Sequence, residues 1–351
     1  MSWEFLRKHG GRRTREYAPQ PTLLHGPNAA RGGEPAETTL LDYETPPHRW
    51  RARDTGGCPP PADDWPWRPL RFVDGKDVGR VVAWLQTEEG CPVPVRLAQV
   101  GGIALRNEER ALRREWGKVE RVLALMTHFF ADDEIKSFEE TLRDAKFQLL
   151  SVPAPPEREQ FDFERARETT QRRTGYAMEL LEREAVRRGG QTPTLVDGRI
   201  DKHAGAFDPV TTPLLGMVKS HYKRYLDPYP PCWKTFYNLE PGERTPAFAI
   251  EDLDVQVVSW YLRLCGASGE MPNWGIIRLE VPRLWFEETI GQEWECLDAL
   301  SRLVCRYRCR DESYDRAPVS LTPIQRAEEI LGALFTRPET LTHRFYHLAK
   351  L

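Results

Sequence analysis

Two short apolar runs, each closed by an aspartate and a glycine, limit what this chain can fold into: Arg71-Phe-Val-Asp74-Gly75 and Thr194-Leu-Val-Asp197-Gly198. Such a run reads as a β-strand, and Asp-Gly ends it with a carboxylate held at the sheet edge and a glycine free to turn sharply. A lone Asp-Gly is a common turn and nothing more. Two of them from distant parts of a sequence can bring their carboxylates to one divalent cation, because hard cations prefer oxygen ligands. That pairing is the raw material of a metal-dependent nuclease.

With 351 residues the chain has room for one large α/β domain with additions, or for two domains. A net charge of −3 does not advertise a nucleic-acid binder, yet 50 basic residues leave room for a local basic groove. The seven cysteines (58, 91, 232, 265, 296, 305 and 309) form no CxxC pair and no zinc-type spacing. Their odd number, with no secretory leader, predicts reduced thiols and a cytoplasmic location. Cys305 and Cys309 stand at helical spacing and are expected to pack. No apolar run is long enough to span a bilayer, so no membrane partner is expected.

Residues 1–16 are basic and read as a short amphipathic helix or an arm, with Arg12-Arg13-x-Arg15 able to touch phosphate. Residues 1–68 as a whole form a leader rich in Pro, Gly and Arg, expected to be extended or partly disordered and able to wrap a partner. The folded domain is expected over 69–351. Strands are predicted at 70–74, 78–86 and 93–106. A helical insertion is predicted at about 107–190, on the spacing of Leu112, Trp116, Val119, Val122, Leu123, Met126 and Phe130 and on a charged helix at about 159–188. The Pro153–Pro156 stretch breaks it, and Gly189-Gly190 ends the second helix. Strands near 193–200, 246–251, 255–264 and 274–281 and helices at 293–306 and 322–335 complete an α+β fold with a ribonuclease-H-like mixed sheet.

Downstream of the second aspartate come Pro213-Leu-Leu-Gly216-Met-Val-Lys219-Ser220-His221, Gly242-Glu-Arg244-Thr245-Pro246-Ala-Phe248 and Ser259-Trp260-Tyr261-Leu-Arg263-Leu264. Trp274-Gly275-Ile-Ile-Arg278-Leu-Glu280-Val281 follows, then Arg316-Ala317-Pro318, Leu321, Pro323-Ile324 and Glu328. In that order, over roughly residues 70–335, these segments resemble the NurA family of DNA-repair nucleases, particularly its bacterial members.

The resemblance implies a manganese-dependent nuclease, or one using magnesium, that forms a homodimer and works on DNA ends with a HerA-like hexameric ATPase translocase. It places Asp74 at the family's first metal-binding aspartate and Asp197 at the later one. A glutamate on the helix before the second aspartate strand should join them. Glu179, Glu182 and Glu184 compete for that place; Glu179 and Glu182 share a helical face while Glu184 points elsewhere, and Glu182 is favoured. Two departures stand out. The family commonly has Asp-Gly-Ser at both sites, where this chain has Asp74-Gly75-Lys76 and Asp197-Gly198-Arg199. They motivate an alternative: a catalytically weak or inactive structural subunit of the same assembly.

Carboxylate-only sites favour Mg²⁺ or Mn²⁺ over zinc. Lys219 can meet the scissile phosphate or offset developing charge; His221 is a weaker candidate. Arg263, Arg278 and Arg316 are the expected DNA contacts, although structural ion pairs use arginine equally well. Trp260 and Tyr261 alternate along a strand, so one faces the core and the other the opposite side, where it packs or stacks on a base. Asp315 is a further candidate ligand. With no phosphate-cradling GxxxxGK[ST] loop, any ATP-driven step belongs to a partner. With no nucleophile elbow, zinc finger or helix-turn-helix signature, neither acyl transfer nor sequence-specific DNA reading is expected.

Overall fold

The two apolar runs lie side by side and parallel, with Arg71, Phe72 and Val73 opposite Thr194, Leu195 and Val196. The computed structural model describes residues 3–14, 38–55, 61, 64–109, 111–153, 162–220, 224–266, 271–311 and 313–351. Thirteen strands among them join one sheet: β1 (Arg12–Arg13), β2 (Thr39–Leu40), β3 (Arg53–Asp54), β4 (Arg71–Gln86), β5 (Pro92–Glu108), β6 (Ala111–Leu125), β7 (Gln148–Ser151), β8 (Thr194–Asp197), β9 (Leu214–Val218), β10 (Glu243–Arg244), β11 (Phe248–Ile250), β12 (Val257–Arg263) and β13 (Ile276–Pro282). The helices are α1 (Glu4–Lys8), α2 (Asp132–Asp144), α3 (Phe163–Gly189), α4 (Pro231–Tyr237), α5 (Trp294–Tyr307), α6 (Thr322–Leu334) and α7 (Pro338–Ala349).

The main path runs β2-β11-β12-β13-β9-β8-β4-β5-β6-β7. At its centre β6, β5 and β4 form an antiparallel meander, and β8 and β9 add in parallel on the β4 side. This is the α+β, ribonuclease-H-like mixed sheet expected from the sequence, with helices flanking it and inserted between strands. Phe5 and Leu6 of α1 join Phe138, Leu142, Phe345 and the apolar residues of β4–β6 in one core cluster. Trp260, Leu279, Leu297 and Ile324 belong to another, which seats α5 and α6 on the sheet. No helix among the described residues is long and apolar enough to cross a membrane.

Three local expectations are corrected. The predicted helix from Asn107 is instead the strand β6, and helix begins only at Asp132. The pairing of β5 and β6 skips a residue between Ala104 and Leu105, where Trp116 and Arg114 are the partners, so Glu115 is an extra residue. A bulge of this kind flips the alternation of side chains. Leu112 and Val119 consequently reach the same cluster despite their odd separation, a spacing that imitates a helix.

The second correction concerns the first Asp-Gly, which is no turn: β4 runs straight through it to Gln86. The third concerns the leader. Its described parts pair with the sheet, β1 with β4, β2 with β11 and β3 with β10, so they wrap this chain's own edge. Arg15 and the rest of 15–37 lie outside the described residues, as do Cys58 and residues 154–161, which include most of the predicted Pro153–Pro156 break.

Candidate metal centre

Asp74 on β4, Asp197 at the end of β8 and Glu328 on α6 each place one carboxylate oxygen within 4.8 Å of the others. The parallel pairing of β4 and β8 stops at Val73 and Val196, so both aspartates stand just beyond the last paired residues. Gly198, at φ 129°, turns the chain away after Asp197. Helix α6 crosses the same face and contributes Glu328. That face carries Lys76 too, whose ammonium lies 3.4 Å from where a Cβ on Gly332 of α6 would sit.

Asp74 is 4% exposed, and its Oδ2 is buried with no hydrogen-bond partner. Burial, then the charges of Asp197 and Glu182, raises its pKa well above the usual carboxylate range, partly offset by Lys219. An orphaned buried oxygen is costly unless something electropositive meets it. The donor set fits a hard divalent cation: three carboxylates and neither His nor Cys.

Lys219 donates to Asp197 Oδ2 at 2.7 Å, both side chains being largely buried. Glu328 accepts from the Tyr314 hydroxyl at 2.7 Å, and the exposed Arg316 reaches to 3.8 Å from its other oxygen. Arg199 turns from the site to bind Asp201 through two nitrogens at 2.8 and 2.7 Å.

Glu182 lies beside this trio without joining it. Its carboxylate rests against Gly75, where an added Cβ would come within 2.5 Å of Oε1. Burial pushes its pKa up to about 8, with Lys202 pulling the other way and Glu179 and Asp197 adding to the rise. Glu179 pairs with Lys202 at 2.8 Å, and Glu184 with Arg187 and Arg188 at 2.9 and 2.8 Å. Of the three helix glutamates, Glu182 is therefore the one turned inward, and Glu179 is engaged elsewhere.

Glu328 was legible only as part of the closing motif. Its separation from the two Asp-Gly runs gave no sign that α6 returns over them. Asp315 is exposed and outside the trio, and His221 lies outside the described residues.

Two of the three expected DNA-contacting arginines are interior. Arg263 donates to the carbonyls of Trp274, Tyr237 and Pro272 at 2.6, 3.2 and 2.9 Å. Arg278 is 2% exposed and donates to Ser259 Oγ at 2.9 Å and Glu280 Oε2 at 2.5 Å. Neither can reach a ligand from there. Glu280 in turn accepts the Ile200 N–H at 2.5 Å, which ties this pair to the loop after Asp197. Trp260 and Tyr261 do point to opposite sides, yet both are buried: Trp260 donates to Ser301 Oγ at 2.8 Å and Tyr261 packs on Phe236 and Phe248.

No family model and no curated protein matches the chain. Among solved structures, the crystal structure of the NurA nuclease from Sulfolobus solfataricus aligns over 80% of this chain and 84% of that one, with a TM-score of 0.35 and 12% identity.

Proposed function

We propose that this protein is a divalent-metal-dependent nuclease that hydrolyses phosphodiester bonds of DNA. The observation that carries the reading is the convergence of Asp74, Asp197 and Glu328 around a buried, unpartnered carboxylate oxygen. Bound there, a divalent cation supplies Lewis-acid stabilisation of the charge that builds on a phosphate's oxygens. Asp74, Asp197 and Glu328 would hold it. Lys219 fixes the orientation of Asp197 and puts an ammonium where a phosphate would sit. Glu182 holds a proton near neutral pH, and a divalent cation at the neighbouring carboxylates would raise the local potential and favour the charged form of its side chain. Manganese or magnesium suits the donors equally. The ordered motifs that resemble NurA support DNA ends as the substrate, a homodimer, and a HerA-like hexameric ATPase as the partner.

A second reading keeps the same assembly and makes this chain a catalytically weak structural subunit. Lys76 favours it, a basic side chain on the face that carries Asp74 where the family it resembles commonly has a serine.

The test is digestion of linear DNA with Mn²⁺ or Mg²⁺, by the chain alone and with its translocase, alongside Asp74→Asn, Asp197→Asn and Glu328→Gln. Each substitution should cost more than the roughly tenfold to hundredfold typical of residues that only support metal ligands. Calorimetry should show metal binding lost in parallel. Metal binding without digestion under either condition would favour the structural subunit. No metal binding at all would overturn both.

A further inference from the structure

Helix α3 buries one face and leaves the other unaccounted for. Ala177, Leu181, Ala185 and Val186 pack into the core, while Tyr176 and Leu180 stand 42% and 45% exposed. Arg173, Tyr176, Leu180, Arg183 and Arg187 follow one another at spacings of three and four, so they form a single stripe on the outer face. From Arg173 to Arg183 it is about 15 Å long at the helical rise per residue.

The stripe is built rather than merely exposed. The guanidinium carbons of Arg173 and Arg183 lie 5.7 and 5.9 Å from the centre of the Tyr176 ring. Arg173 is tethered through Nε to the Ser151 carbonyl at 2.9 Å. Arg183 is tethered through Nε to the Lys202 carbonyl. Two arginines are thus held within 6 Å of the centre of one exposed aromatic ring. The nearby acids are spoken for, Glu179 by Lys202 and Glu184 by Arg187 and Arg188, which leaves Arg173 and Arg183 as a surplus of positive charge.

The stripe also leads somewhere. Arg183 follows Glu182, which packs against Gly75, and Lys202 belongs to the 3₁₀ turn just after Asp197.

We propose that this face of α3 is a platform for a single nucleic-acid strand, on which Tyr176 stacks with a base and Arg173 and Arg183 hold the flanking phosphates. Its position at the metal centre rests on the nuclease reading; its binding chemistry does not. A base is free to stack only when unpaired, which selects a single strand over a duplex. A second copy of this chain meeting the same face across a two-fold axis would set arginines against arginines.

Strand binding is measured by fluorescence anisotropy with a labelled oligo(dT), using the full chain in EDTA so that no cleavage occurs. Tyr176→Ala should weaken binding by about five- to a hundredfold, the range of a lost base-stacking contact. Tyr176→Phe should retain the affinity, and duplex affinity should not respond to either variant. Arg173→Ala and Arg183→Ala should each lower the dependence of log affinity on log salt by about 0.7. Circular dichroism and thermal melting establish that the variants are folded.

Unchanged oligo(dT) affinity in folded Tyr176→Ala overturns the proposal. So does a change of oligomeric state in that variant without a change in strand affinity, which would make the face an interface between copies. The two readings fail separately. Strand binding that depends on Tyr176 in a wild type without digestion supports the platform and removes the nuclease. Metal-dependent digestion with a KM indifferent to Tyr176→Ala removes the platform alone.

Discussion

At the scale of single residues, Asp74 and Glu182 are charges that folding has made expensive. An ordinary glutamate titrates near 4.5, whereas Glu182 in the fold holds its proton up to about 8. Between those values the folded chain binds a proton that the unfolded chain has lost, so metal-free stability falls as pH rises through that window. Asp74 is displaced in the same direction. Melting in EDTA should therefore show a Tm that declines from about pH 5 to pH 8, with Glu182→Gln flattening the decline. Mn²⁺ should raise the Tm most at the alkaline end, where the carboxylates it needs have already lost their protons and repel one another. Asp74→Asn should raise the metal-free Tm at pH 8 and abolish the response to Mn²⁺. A metal-free Tm that climbs over the same range would contradict the burial of these acids. What the sequence displays at this scale is which carboxylates matter on the strands. It does not display that Arg263 and Arg278 turn inward, because an arginine in a strand looks the same whether it meets carbonyls or phosphates.

At the scale of elements, two neighbouring glycines set how closely the helices approach the sheet. Gly102 of β5 lies opposite Gly75 of β4, and a Cβ on it would come within 2.9 Å of the Leu181 backbone in α3. Gly101 faces the other side, where its Cβ would meet the ends of Leu331 of α6 and of Phe335 just after it, both at 2.8 Å. A helix backbone cannot step aside as a side chain can. Gly102→Ala should thus cost about 1–3 kcal/mol, and Gly101→Ala measurably less, in urea unfolding. Because Gly102 pairs with Gly75, the chain neighbour of Asp74, the first substitution should also weaken metal binding. Equal costs at the two positions would mean that α3 is not held against the strand. The long charged helix and the strands β8, β11, β12 and β13 were plain from periodicity and from the flanking glycines, whereas β9 and β10 were not. β6 was not, since the bulge at Glu115 erases the alternation that marks a strand and leaves apolar residues at helix-like intervals.

At the scale of the whole molecule, the leader is fastened by a buried charge network. Arg244 on β10 is fully buried and donates to both oxygens of Glu44, at 2.9 and 3.1 Å, and to Asp298 of α5 at 2.5 Å. Glu44 also accepts the Ala247 N–H at 2.5 Å and pairs with Arg53 at 2.9 Å. A leader poor in apolar periodicity gives little hint of such an anchor, because its docking relies on Glu44, on short edge strands and on scattered apolar residues such as Leu6, Leu41 and Trp50. Removing one partner of a buried pair strands the other's charge, and Glu44→Leu should cost about 3–5 kcal/mol. Adding Arg244→Met should recover much of that loss, since the stranded guanidinium is then gone and Asp298, partly exposed, can turn to water. Urea unfolding of the two single variants and the double variant measures the coupling directly. If the network holds the leader, limited proteolysis should cut Glu44→Leu within the first 68 residues well before the rest of the chain is attacked. A Glu44→Leu variant within about 1 kcal/mol of the wild type would mean that the edge strands and the buried apolar residues of the leader hold it in place without the network.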